Sequence, residues 1–359
     1  MKRIKVLQLI DSLEIGGAEV LALNIHKLLS EEENIDSYIC ATRKEGPLKS
    51  KIKSNYFFLN KKSTFDLIAI IKLRKNIRNN NIQIIHAHSS SYFLASIIKI
   101  IYPKIKIVWH DHYGCSDNLK KRNKQPLRFF SSKFSHSIFV NQKLLDWANL
   151  NLLVRKKIIV NNFAVLDSAT EKTILKGIEG KRIVMVAAFR DQKDHLNLLN
   201  SFLIISKFYS DWTLHLIGKY HNNSTSDKIF EFVENNSLQE KVFFYGACND
   251  IKNIHIQSTI GVLSSKSEGL PISLLEYGLC KLPVVITDVG DCSLLVKDNL
   301  TGVLVSKENS AELAIGIEVL INSKEKRITF GNNLYKEVIT RFSKKKFKKE
   351  LLNIYKEIN

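Results

Sequence analysis

A chain of 359 residues, 45% hydrophobic and 25% charged, has the length of two globular domains and is not disordered, collagenous or coiled-coil. Its formal net charge of +19 is local: residues 51–165 carry 21 basic and 4 acidic side chains, 341–359 carry 7 and 2, and 166–340 carry 19 and 21. A basic half beside a neutral one points to an anionic partner, either nucleic acid or anionic lipid. The cysteines, Cys40, Cys115, Cys248, Cys280 and Cys292, are scattered without a Cys-x-x-Cys pair. That spacing argues against a disulfide framework or zinc ribbon and suits a reducing cytoplasm.

The opening MKRIKVLQLID is interrupted by Gln8 and stopped by Asp11, so it reads as a first strand rather than a signal peptide. No apolar run approaches the length of a membrane span, which predicts a soluble or peripheral protein. Strands are expected near 4–10, 37–41, 56–59, 82–87, 105–109, 137–140 and 158–160, with helices at 18–30, 66–79, 90–101 and 142–150. The segment DSATEKTILKGIEGK, from 166 to 180, lacks an apolar period and reads as a surface linker. Strands then recur near 183–187, 213–217, 242–245, 260–263, 284–287 and 303–305, and after about 310 only helical patterns remain. Alternating strands and helices predict an α/β protein of two doubly wound, Rossmann-like domains joined near 165. Such sheets hold ligands at the C-terminal ends of their strands, which predicts an active site in the cleft between the domains.

Four segments carry candidate chemistry. Gly16-Gly17 follow the first strand and open a helix, where free N–H groups can meet a phosphate, or where the glycines only shape a tight turn. His86-Ala-His88 and His110-Asp111-His112 each close a predicted strand. Alternate residues share a strand face, so the pairs either line a substrate cleft or bind the metal of a hydrolase. Arg190 and Lys193 follow the first strand of the second half, where two cations suit a diphosphate. Finally, Glu268-Gly269-Leu270-Pro271 and Glu276 lie on a loop and the helix after it, with Pro271 expected in the first turn. Gly269, Leu270 and the first-turn amides can face a phosphate, and the two carboxylates can accept bonds from vicinal hydroxyls.

Together these residues resemble glycosyltransferase family 4. GGAE (16–19), IIHAHS (84–89), WHD (109–111), FRDQKDH (189–195) and EGLPISLLE (268–276) follow the family's order, with lesser matches in VNNF (160–163), VFFYGACND (242–250) and LTGVLV (300–305). The resemblance implies the GT-B fold and retaining, metal-independent transfer of a hexose-type sugar from a nucleotide sugar, a UDP-sugar ahead of a GDP-sugar. It implies that Glu276 holds the ribose, Arg190 and Lys193 neutralise the leaving diphosphate, and Glu268 with the amides after it holds the donor sugar. By the same resemblance His110 lines the reacting sugar, and Gly16, Gly17 and Gly246 approach the donor. Cys280-Lys281 and Asp291 depart from the family's usual residues around this segment.

The implied organisation is an acceptor-side domain at 1–165, a nucleotide-sugar domain at 166–340, and a basic C-terminal helix at 341–359 packing back on the first domain. The acceptor expected is a glycan or lipid-linked saccharide of bacterial surface polysaccharide synthesis, with no cofactor. Residues 119–134, LKKRNKQPLRFFSSKF, and RFSKKKFKKELL at 341–352 interleave cations with aromatics. They predict a cytoplasmic enzyme held on the inner, anionic face of the membrane. No nucleic-acid-binding signature accompanies the basic half, so a nucleic-acid partner is not expected.

Overall fold

The computed structural model describes residues 3–114, 119–166, 172–220 and 224–358, the side chain of Lys121 excepted. Cys115 and residues 167–171 of the expected linker lie outside them. In chain order the elements begin β1 (Ile4–Ser12), α1 (Gly17–Ser30), β2 (Ile35–Lys44), β3 (Tyr56–Phe58), α2 (Leu67–Asn79), β4 (Ile84–His88) and α3 (Tyr92–Ile101). They continue β5 (Lys106–Asp111), α4 (Gln125–Ser131), β6 (His136–Phe139), α5 (Gln142–Asn151) and β7 (Lys156–Ile159). The second half holds β8 (Arg182–Val186), α6 (His195–Phe208), β9 (Thr213–Ile217), α7 (Ser224–Asn235), β10 (Val242–Gly246), α8 (Ile251–Gln257), β11 (Ile260–Leu263) and α9 (Ile272–Leu279). Then come β12 (Val284–Thr287), α10 (Cys292–Leu295), β13 (Val303–Val305), α11 (Ser310–Asn322), α12 (Lys324–Arg341) and α13 (Lys344–Ile358).

The chain divides into two compact units. One comprises Met1–Asn162 with Lys344–Asn359, the other Phe163–Ser343. In the first, parallel strands run in the order β3-β2-β1-β4-β5-β6-β7. Leu7, Leu9, Ile85, Ala87, Ile107 and Trp109 fill a core on one face. On the other, Ile10, Ile39 and Ala41 pack with Ala22 and Leu23 of α1. Covering both faces is why these strands read as apolar runs. Helix α13 belongs to this unit and buries the stripe Phe347, Leu351, Ile354 and Tyr355, the i, i+4, i+7, i+8 spacing of one helix face.

The second unit has a parallel sheet in the order β10-β9-β8-β11-β12-β13. Met185, Phe202, Leu214, Val262 and Ile317 lie in the core on one face, and Val184, Leu263, Leu274, Tyr277 and Ile286 on the other. Side-chain caps set several helix starts: Asp66, Asn141, Asn309 and Ser323 each accept a backbone N–H three residues on.

The described part of the linker lies mostly at the surface, as expected, but it is tied down at two points. Leu175 is buried, Thr173 donates its hydroxyl to Asp250 (2.8 Å), and Leu175 N–H donates to Gln257 (3.1 Å). Residues 125–131, read only as part of a basic segment, form the short helix α4. No described helix is long and apolar enough to cross a membrane.

Candidate active site

In the first unit the sheet order reverses between β1 and β4, the position at which such sheets open a crevice. Asp11 at the end of β1 ties the strand ends together, accepting Thr42 Oγ1 and Ser90 Oγ at 2.6 Å each. Gly16 caps α1 in extended backbone, and Gly17 begins the helix. A Cβ on Gly17 would meet nothing within 4 Å, and one on Gly16 only the Glu19 carboxylate. These glycines leave room above the helix N-terminus; neither has a backbone angle that demands glycine.

Gln8 on β1, His86 and His88 on β4 and His110 on β5 share one face, because strand residues alternate and the parallel register sets Gln8 beside His86 and His88 beside His110. All four are essentially without solvent exposure. His86 Nδ1 meets the Tyr355 hydroxyl of α13 at 2.7 Å, and His86 Nε2 meets His110 Nδ1 at 3.2 Å. His88 Nε2 meets Gln8 Oε1 at 2.9 Å, and His88 Nδ1 meets His112 Nε2 at 3.0 Å. Burial, with the neighbouring imidazoles, depresses these rings: His86 and His112 fall to about 3, and His88 and His110 go well below the usual histidine range. They are therefore neutral at physiological pH. His110 Nε2 is buried with no partner among the described residues. Donor atoms of His86, His88 and His110 lie within 4.8 Å of one another, the geometric basis of the metal reading. Both nitrogens of His86 and of His88 are already engaged within the protein.

In the second unit the order reverses between β8 and β11. The loop after β8 carries Arg190 and Lys193, and the loop after β11 carries Glu268 to Pro271. The two loops are stitched together. Lys193 Nζ donates to Glu268 Oε1 (2.5 Å), which also accepts Ser265 Oγ (2.6 Å), and Gln192 Nε2 donates to the Ser267 carbonyl (2.6 Å). Arg190 is exposed, Lys193 is partly covered and Glu268 is buried. Sequence reading offered Lys193 to a diphosphate and Glu268 to a sugar; here the two hold each other. Lysine has three donors, so one bond to Glu268 leaves others for an anion.

Helix α9 begins at Ile272, and Pro271 is its cap, at φ −68° and ψ 131°. Pro271 thus precedes the first turn, correcting its expected place inside it: an extended ψ turns the loop into the helix and leaves Ile272 to start it. Glu276, 9% exposed, follows just past that turn. Beside them Gly290 adopts φ +58°, and a Cβ there would fall 2.1 Å from the Glu268 carbonyl. Only glycine lets the β12–α10 loop lie against Glu268 and Gly269, where Asp291 N–H donates to the Gly269 carbonyl (3.0 Å). Gly246 ends β10 at φ +65° beside a register slip, and its carbonyl accepts Gly218 N–H (2.8 Å).

The structure brings Lys193 together with Glu268 and joins His110 to His86. Sequence reading missed Gln8 and Tyr355 as partners of the histidines, and Asp111 as the partner of Arg122. A glutamine within the apolar run VLQLI was a visible signal for Gln8; Tyr355, 269 residues from His86, left none.

The chain is similar in sequence and in fold to known proteins. Residues 15–161 match the family described as Glycosyltransferase Family 4, and residues 170–337 match Glycosyl transferases group 1. The chain is 27% identical over 301 residues to the O-antigen biosynthesis glycosyltransferase WbnH of Escherichia coli, covering 81% of this chain and 83% of that protein. It is 22% identical over 317 residues to the UDP-Gal:alpha-D-GlcNAc-diphosphoundecaprenol alpha-1,3-galactosyltransferase of Escherichia coli, covering 81% of each. The crystal structure of Anabaena Alr3699/HepE in complex with UDP-glucose superposes with a TM-score of 0.81 at 16% identity, covering 99% of this chain and 100% of that one. With both halves matched in order, the chain belongs to glycosyltransferase family 4 and is a glycosyltransferase of the GT-B type.

Proposed function

We propose that this glycosyltransferase is a retaining enzyme that moves a hexose-type sugar from a UDP-sugar, in preference to a GDP-sugar, to a glycan or lipid-linked saccharide. In this reading it needs no bound metal or other cofactor and serves bacterial surface polysaccharide synthesis. The observation that carries it is the stitched pair of loops at the switch point of the second sheet, with Arg190 exposed beside Lys193 and Glu268. Breaking the bond between sugar and diphosphate builds negative charge on the leaving group. Preorganised cations and amides there are the largest catalytic contribution available. Arg190 and Lys193 supply the charge, and Gly269, Leu270 and Pro271 shape the approach to α9. Glu276 holds the ribose, and Gly246 borders the nucleotide. Glu268 positions Lys193 and faces the donor sugar; His110 lines that sugar, and Gly16-Gly17 give the donor room. The Escherichia coli relative named for transfer from UDP-Gal to a lipid diphosphate supports the substrate class.

The reading extends to a site of work on the cytoplasmic face of an anionic membrane. Phe65, Leu67, Ile68 and Ile71 on and before α2, and Phe129 on α4, are all at least 66% exposed. Lys72, Arg74, Lys75 and Arg78 of α2, with Lys120, Lys124 and Arg128, are exposed as well. Phe65 packs edge-on against Phe93 of α3, Phe93 against Phe130, and Phe130 against Phe129, so these four rings form one continuous run. Cations around exposed aromatics fit anionic headgroups above an acyl layer.

A thermal-shift screen followed by a sugar-nucleotide transfer assay tests the function. UDP should raise the melting temperature in the presence of a strong chelator, and Glu276→Ala should abolish that shift. Arg190→Ala with Lys193→Ala should lower turnover by about 10²-fold or more, the scale of one lost preorganised donor. No shift with any nucleoside diphosphate would remove the donor assignment. Activity lost to chelation and restored by manganese would return the histidines to the metal reading.

A further inference from the structure

We propose that Tyr355, with Gln8 behind it, is a positioning residue that keeps the proton of His110 on Nε2, so that His110 meets its ligand as a neutral hydrogen-bond donor. The inference rests on the proposed reading in one respect, that the ligand at His110 is the reacting sugar.

The proton positions follow from the bonds one at a time. The Gln8 amide turns its oxygen to His88 and its nitrogen to Tyr355, whose hydroxyl it reaches at 3.4 Å. Tyr355 accepts there and has one proton to give, which goes to His86 Nδ1. A neutral imidazole has one proton, so that of His86 lies on Nε2 and is donated to His110 Nδ1. His110 is neutral as well, and its proton is left on Nε2, the atom without a partner among the described residues. The second branch agrees: His112 Nε2 donates to His88 Nδ1, and His88 Nε2 donates to Gln8 Oε1. One amide orientation therefore sets the direction of both branches, and the branch through His86 ends in a buried N–H without a partner among the described residues. An open buried donor carries a desolvation cost until an oxygen reaches it, and a ligand hydroxyl or ring oxygen is such a partner. The arrangement also denies His110 the role of base, because the nitrogen facing the ligand holds the proton.

Helix α13 brings Tyr355 to the strands that carry the histidines. The C-terminal segment thus contributes a chemical group to the site and not only apolar packing.

Nitrogen-15 spectra of the histidine rings at pH 7, assigned by difference with His110→Asn, read the tautomer directly. The wild type should show His110 protonated on Nε2, and Tyr355→Phe, which removes one hydroxyl, should shift population to the Nδ1 form. Turnover in Tyr355→Phe should fall about tenfold or more, within the limit of about 10⁴ seen when a catalytic histidine loses the group fixing its tautomer. The shift in melting temperature with UDP should stay at the wild-type value. In a His110→Ala background Tyr355→Phe should have no further effect on turnover, since the two act through one path. A wild-type His110 protonated on Nδ1 overturns the proposal, as does an equal loss from Tyr355→Phe in both backgrounds. A wild type without sugar-nucleotide turnover or UDP stabilisation instead removes the donor reading, and the ring spectra still decide the tautomer.

Discussion

Arg122 shows how far a residue's role can lie from its composition. In the sequence it is one of six cations in a basic run, counted with a membrane surface. In the structure its side chain is 9% exposed and forks onto Asp111, with bonds of 2.7 and 3.0 Å. Its guanidinium stacks 4.5 Å from the Tyr113 ring and 4.4 Å from that of Trp147. The planar fork matches both carboxylate oxygens and both ring faces, which an ammonium cannot. Arg122→Ala leaves Asp111, the last residue of β5, buried without its counter-charge, and should cost about 3–5 kcal/mol of stability. Arg122→Lys should recover only a minor part. Urea midpoints of the two variants check this, and an alanine variant within about 0.5 kcal/mol of wild type, the scale of an ordinary surface substitution, would return Arg122 to the surface set.

Among the elements, the membrane surface changes its membership for the same reason. Phe134, Phe342 and Phe347, read as aromatics for insertion, are buried in cores, and Lys344 and Lys348 pair with Glu31 and Glu32 at the end of α1. The surface proposed here is instead α2 and α4 with the edge of α3. Co-sedimentation with liposomes should require anionic lipid and weaken with salt. Neutralising Lys120, Lys121, Lys124 and Arg128 should weaken it by about 1 kcal/mol per charge near the leaflet. Phe65→Ser with Ile68→Ser should reduce binding even at low salt, and equal recovery on neutral and anionic vesicles would sink the idea. The strands were legible because a parallel strand covered on both faces is an apolar run, and each expected strand has its counterpart within a few residues. Helix α4 was not, being only seven residues long with a proline in its first turn. The site was legible where one short segment holds its chemistry, as in 268–276, but pairings such as Lys193 with Glu268 and Gln8 with Tyr355 are made by topology. Separations of 75 and 347 residues leave no periodicity to read.

Taken as a whole, the molecule carries eight of its histidines as buried neutral groups, and that sets how it responds to acid. Of the 10 histidines, His86, His112, His195, His215 and His255 are depressed to about 3 and His26 to about 4, while His88 and His110 fall well below the usual range, with burial the leading cause throughout. In the unfolded chain each returns to about 6.5. Between these values the unfolded state binds more protons than the folded one, so stability must rise with pH across that window. The contribution is complete above the unfolded value and is lost as pH falls below it, at up to about 1.4 kcal/mol per pH unit for each histidine. Several such groups acting together can exhaust a typical total of about 5–15 kcal/mol within one or two pH units. Carboxylates do not explain a loss in this range, because those held low in the fold, such as Asp66 and Asp250, give up stability only as pH falls through still lower values. The net charge of +19 adds repulsion as protons bind. Urea midpoints should therefore be level from pH 8 to 7 and fall steeply from pH 6.5 to 5. The His215→Asn variant, which removes one such ring from β9, should show a shallower fall than wild type. A midpoint unchanged between pH 7 and pH 5 would mean that these rings are hydrated in solution, and would take with it the neutral histidine network from which the tautomer of His110 is derived.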